Sequence, residues 1–153
     1  MPKKLSKTID YSVDHKVLAI VSNLKDYSLC FHINNVLKLD LVKYDDLFFD
    51  LSTDVEKSFS WYYYQDSKTG TTYYLIGNKS EGSILLPTHK TVDYFILIKD
   101  FVRNDVSQIL TNSLRTVPYI STSYDISIQQ IKQLEHLLET IELHELEYVK
   151  SVK

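Results

Sequence analysis

Cys30 and His32 put a thiol and an imidazole two residues apart, the pairing that a nucleophilic site uses. On a helix, residues two apart lie about 200° apart around the axis, so the pair needs a third group before it can react. A buried structural cysteine is the expectation. His136, Glu139, Glu142 and His144 are metal-ligand types, but they form neither a Glu-x-x-His nor a His-x-x-x-His pair. They read as a solvated helix face, and His15 and His89 have no companion at ligand spacing. No metal is expected. Gly70, Gly77 and Gly82 match neither a dinucleotide fingerprint nor a P-loop, so no cofactor is expected. Asp45 and Asp46 are adjacent carboxylates. Neighbours on an extended segment point in opposite directions, which suits a turn or strand entry better than an acid–base pair.

Asp93 follows Pro87 and a short polar stretch and precedes the apolar residues Tyr94 to Ile98. A carboxylate at a strand entrance can accept hydrogen bonds from loop N–H groups and fix the path of the loop. That latch role is the first expectation for Asp93, with ligand binding and then catalysis behind it. The other chemistry-bearing cluster is aromatic: Trp61, Tyr62, Tyr64 and Tyr73 fall in two segments of strand character. On an exposed sheet face such rings stack bases or line a protein interface. In a packed sheet they are ordinary strand residues whose hydroxyls reach water.

The elements that must hold these groups follow from periodicity. Val17 to Val21 is a continuous apolar run of strand length, as expected for a central strand covered on both faces. Asn23, with Asp26 three residues on, reads as a cap opening a helix over 24–37, whose apolar face includes Leu29, Cys30 and Ile33. Leu47 to Phe49 forms a short strand. Segments 58–64 and 71–77 form a hairpin around Gln65 to Gly70, with Phe59, Trp61 and Tyr63 on one face and Ser60, Tyr62 and Tyr64 on the other. A strand over 92–98, a helix capped by Asn104 or Asp105 and running to Leu114, and an extended segment 117–123 follow. Ser127-Ile128-Gln129-Gln130 has capping-box form and opens the longest helix, to Tyr148, along which Ile131, Leu134, Leu138 and Ile141 make an apolar seam with Glu145 at the next seam position. The expected fold is α+β: a mostly antiparallel sheet with helices packed on one face, a ferredoxin-like variant, plus a long C-terminal helix. The chain divides into a polar N-terminal tail (1–14), a single domain (15–125) and the C-terminal helix (126–153), which is either part of that domain or an oligomerisation element.

With 44% hydrophobic residues in 153, the chain can close a core, and one cysteine cannot staple it. A net charge of −3 gives no whole-chain attraction to phosphate polymers or anionic lipid. Lys3, Lys4, Lys7 and Lys16 are interrupted by Asp10 and Asp14, which suits a solvated lead-in. Asn78-Lys79-Ser80 has the form of a glycosylation acceptor, relevant only to a secreted chain. Without a long apolar stretch or signal-peptide order, a cytoplasmic protein with no membrane association is expected. The 12 tyrosines stand beside one alanine, Ala19, and two arginines, the imprint of an A+T-rich genome, so part of their number is compositional.

The segment Leu86-Pro87-Thr88-His89-Lys90-Thr91-Val92-Asp93-Tyr94 resembles the signature of the IPExxxVDY family, small bacterial proteins of Bacteroidota. Pro87, Val92, Asp93 and Tyr94 match it, Leu86 replaces isoleucine, and Thr88 stands where the signature has glutamate. Asp26, Tyr27 and Cys30, with Ile33 and Asn34, resemble the family's first-helix pattern, and Tyr74 to Lys79 the segment before its signature. The resemblance implies no activity, substrate or cofactor, because the family has none established.

With no catalytic constellation in the sequence, the leading expectation is a non-enzymatic binding or adaptor domain acting through protein–protein contacts. Its partner is another protein or a second copy, met through the C-terminal helix, the hairpin or a sheet edge. The alternatives are a single-stranded RNA binder using the Tyr/Trp hairpin near Lys57, Lys68 and Lys79, and an enzyme with a site near Asp93.

Overall fold

A computed structural model describes residues 10–50 and 56–150; Lys3, Lys4 and Lys7 of the tail lie outside them. Six strands form one sheet: β1 (His15–Ser22), β2 (Val42–Asp50), β3 (Glu56–Gln65), β4 (Thr72–Gly77), β7 (Tyr94–Lys99) and β8 (Ile120–Ile126), with β5 (Lys79–Ser80) and β6 (Ser83–Ile84) as a separate small ladder. The spatial order is β2-β3-β4-β7-β1-β8, and every neighbouring pair is antiparallel. Within it, β4-β7-β1-β8 has the order of a ferredoxin-like unit, with α1 (Asp26–Leu37) leaving β1 and α2 (Val106–Leu114) leaving β7. The extra part is β2 and β3, inserted between α1 and β4 and added at the β4 edge. The expected short strand at Leu47 to Phe49 is nine residues long, with its register broken between Tyr44 and Leu47.

The central strands bury both faces, which explains their continuous apolar runs. Leu18, Ile20, Leu75, Ile96 and Ile98 face α1 and α2, packing against Leu29, Ile33, Leu110 and Leu114. Val17, Ala19, Tyr74, Ile76, Phe95 and Leu97 face the opposite core. That second core is closed by α3 (Leu134–Glu145), which continues as a π turn over Leu146–Lys150. Helices α1 and α2 thus share one face, and the C-terminal helix lies on the other, its seam spent on its own sheet.

Two expected helix starts are displaced. Lys25, not Asn23, precedes α1 and makes no side-chain cap. Ser127 caps nothing: a 3-10 turn over Ile128–Gln130 leads to Ile131 in extended conformation and Gln133 at φ +56°, and only then does α3 begin. Ile128 and Ile131 both enter the core. The chain leaves the helical path there to bury both side chains. At the other end of α1, Lys38 adopts a left-handed conformation and donates its N–H to Asn34 O. The Asn34 side chain then brackets Leu41, accepting its N–H at 2.9 Å and donating to its carbonyl at 3.2 Å.

Candidate functional site

At Ser22, where β1 ends, the sheet surface beyond the start of α1 carries small residues. Ser58 and Ser60 of β3 and Gly77 of β4 line an open depression there. A Cβ on Gly77 would lie 2.7 Å from Ser60 Oγ, so a larger residue there would have to displace the serine hydroxyl. The depression is an open cleft of about 750 Å³, walled by Asp26 and Tyr27 on one side and by Lys79, Asp93 and Tyr94 on the other.

Asn78 is fully buried and organises the outer wall. Its Nδ2 donates to His89 O at 3.0 Å and Val92 O at 2.8 Å, its Oδ1 accepts from Leu86 N at 2.8 Å, and its own N–H donates to Asp93 O. The loop 86–92 is therefore held by Asn78. Asp93 has a different task from the one expected: Oδ2 accepts the Ser22 N–H at 2.8 Å and Oδ1 pairs with Lys79 Nζ at 2.8 Å. It ties β7 to the exit of β1 and to the β4–β5 connection. Tyr94 OH donates to Leu24 O at 2.7 Å, and burial together with the Asp26 and Asp93 charges pushes its pKa up to about 12. Pro87 and Thr88 lie outside the cleft, both exposed, with Thr88 Oγ1 3.0 Å from His89 Nδ1. Val92 is buried beneath them.

Across the cleft, Asp26 Oδ2 accepts from Tyr62 OH at 2.9 Å and from Lys43 Nζ at 3.3 Å. Partial burial raises its pKa, but these two bonds outweigh that and hold it below the ordinary carboxylate value. The segments around Asp26 and Asp93, and the one ending at Lys79, meet around this one cleft. No protein-family model matches the chain, and no curated protein matches its sequence.

The aromatic cluster takes the packed-sheet place, not that of an exposed face. Trp61, Tyr62 and Tyr73 are buried, and Tyr64 is half-buried, stacked on Tyr73 with centroids 6.1 Å apart. Trp61 sits under α3 among Tyr44, Tyr63, Tyr74 and His144. The hairpin therefore presents neither Trp61 nor Tyr62 to a base or a partner: Trp61 lies in the core closed by α3, and Tyr62 in the core that α1 and α2 close. Cys30 is buried as expected. Burial pushes its thiol up to about 11, and Sγ lies 3.6 Å from both Leu41 O and Asn34 Nδ2. Among the described residues no group of three or more His, Cys, Asp or Glu side chains is placed to hold a metal ion.

Glu145 stands at the seam position after Ile141, and its partners lie far from it in the chain. It is 5% exposed, and its oxygens accept from Tyr63 OH at 3.1 Å and Tyr74 OH at 2.5 Å, with Lys150 Nζ at 3.5 Å and Lys99 Nζ at 3.9 Å. This buried carboxylate fastens α3 to β3, β4 and β7. His144, the next residue back, hydrogen-bonds Asp45 O through Nε2 at 2.8 Å. What the polar groups of both clusters do chemically is fix backbone. Exposed apolar side chains are spread over the molecule, Val102 and Leu143 among them; of these, Tyr27 (64%) stands on the cleft wall and Phe31 (62%) one helical turn on.

Proposed function

We propose that this chain is a non-enzymatic binding module that receives a protein partner at the cleft between α1 and the 78–93 segment, with Tyr27 and Phe31 as its apolar anchors. The observation that carries the reading is the convergence itself. Three segments far apart in sequence build one open cleft, and two large aromatic side chains at i, i+4 stand exposed beside it. Asp26, Asp93 and Tyr94 are engaged in holding the cleft's shape, which favours recognition over acid–base turnover. The resemblance to the IPExxxVDY family belongs to the same proposal, since the segments that carry it meet here. A buried, unpaired Cys30 fits a reducing compartment, and we place the protein in the cytoplasm. No helix among the described residues is long and apolar enough to cross a membrane.

The test is site-specific photo-crosslinking in cells, with benzoylphenylalanine at position 27 or 31 and, as control, at Leu143, an exposed residue of α3. Discrete protein adducts at 27 and 31 but not at 143 are expected. Equal labelling at all three positions, or adducts that nuclease removes, would overturn the proposal.

A further inference from the structure

Among the described residues the sheet has two edges, β2 and β8, and an unpaired edge is a template for another strand. Strand β2 is interrupted by its register break, and His144 occupies Asp45 O. Strand β8, Ile-Ser-Thr-Ser-Tyr-Asp-Ile, contains no lysine or proline, the residues that usually protect an edge. Its protection comes from a neighbouring helix. Ile20 turns its carbonyl toward β7, where it accepts the Asp93 N–H, so Ser123, paired opposite Ile20, turns its own carbonyl away from β1. Arg115, at the end of α2, reaches over and places Nε at 3.2 Å and Nη2 at 3.0 Å from that single oxygen. It is one of two arginines among 17 basic side chains, and the forked geometry of guanidinium is what this contact uses.

We propose that the outer edge of β8 is a self-pairing surface for a second copy of this chain, and that Arg115 holds it closed. The sequence of the edge is compatible with its own two-fold copy. Antiparallel pairing centred on Ser123 sets Ser123 against Ser123, Tyr124 against Thr122 and Asp125 against Ser121, so no like charges face each other and the aromatic meets a β-branched side chain. The Ser123 carbonyl is the acceptor that such a pair needs at its centre, and it is the one Arg115 occupies. The guard is thus a competitor for a specific bond, not a general surface charge.

Multi-angle light scattering across a dilution series reads the outcome. The wild-type chain is expected at monomer mass throughout. Arg115→Ala doubles in mass at the concentrated end and reverts on dilution. The double variant Arg115→Ala with Asp125→Pro returns to monomer, because position 125 has the same outward N–H as Ser123 and proline removes it without touching the β1 ladder. A monomeric Arg115→Ala with a wild-type circular-dichroism spectrum overturns the proposal, and so does a dimeric wild type. A dimer that survives Asp125→Pro removes the assignment to β8. Should Arg115→Ala lose its spectrum, Arg115→Gln is read in the same way.

Discussion

Asn78 and Asp93 stand fifteen positions apart in the chain and share the work that Asp93 alone was expected to do. Asn78→Ala orphans one N–H and two carbonyls inside the protein, so it should cost more than the ~1–3 kcal/mol of a single buried unsatisfied group. Asp93→Ala releases one backbone N–H and a half-exposed lysine, and should cost about 1–3 kcal/mol. Urea midpoints order the two, and a midpoint for Asp93→Ala below that of Asn78→Ala would reverse the assignment of the loop's main staple. Asp26 makes a prediction in pH. Its folded pKa is held below the ordinary 3.8, so it contributes stability that is present above that value and lost as the pH falls through the folded one. Asp26→Asn removes this dependence. The variant should therefore lose less of its stability than the wild type does on acidification below about pH 4, and parallel acid profiles would count against the Tyr62 and Lys43 bonds. Cys30 offers a kinetic check: with burial raising its thiol to about 11, a disulfide reagent near pH 8 should label the folded chain far more slowly than the unfolded one.

At the scale of elements, much of the fold could be read from the sequence because hydrophobic periodicity reports it directly. The β3–β4 hairpin, the runs in β1 and β7, and the apolar face of α1 all stand where the alternation or the 3.6-residue period puts them. What misled was local chemistry that tertiary packing overrode. Ser127 and Gln130 have the types of a capping box, yet the demand to bury Ile128 and Ile131 outranks a cap of about 1 kcal/mol. The candidate site was half legible. Asp93, Tyr94 and Asp26 could be picked out by type and position, but nothing local says that they meet, because the register of β1 against β7 brings them together. The hairpin aromatics failed as a surface for the same reason: strand alternation assigns faces, and only the packing of helices decides whether a face is covered. Glu145 shows the cost of that packing. Replacing it with alanine strands two buried phenol hydroxyls and releases two partly exposed ammonium groups, and should cost about 1–3 kcal/mol for each stranded hydroxyl, whereas Glu145→Gln keeps an acceptor for the tyrosines and should cost less. Equal denaturation midpoints for the two variants would remove the clasp.

Seen as a whole molecule, the sheet is the shared wall of two cores. Consecutive residues of β1, β4 and β7 go to opposite sides, Val17 and Ala19 to one and Leu18 and Ile20 to the other. Neither layer of helices can leave without stripping one face from strands that the other layer also needs. This geometry predicts cooperative unfolding of the three layers, and the chain carries its own reporters on the two sides. Trp61, the single tryptophan, lies fully buried beneath α3 with the His144 ring 4.6 Å away. Cys30, the single cysteine, is carried on the buried face of α1, on the opposite side of the sheet. In a urea titration, the red shift of Trp61 emission, the exposure of Cys30 to a thiol reagent and the loss of backbone ellipticity should share one midpoint. A Trp61 transition that precedes the other two would mean that α3 parts from the sheet on its own, and the C-terminal helix would then be an appended layer instead of half of a single core. Arg115→Ala belongs in the same experiment as a contrast. Its contact lies at the rim of the sheet and reaches neither core, so all three signals should still coincide whether or not the variant dimerises.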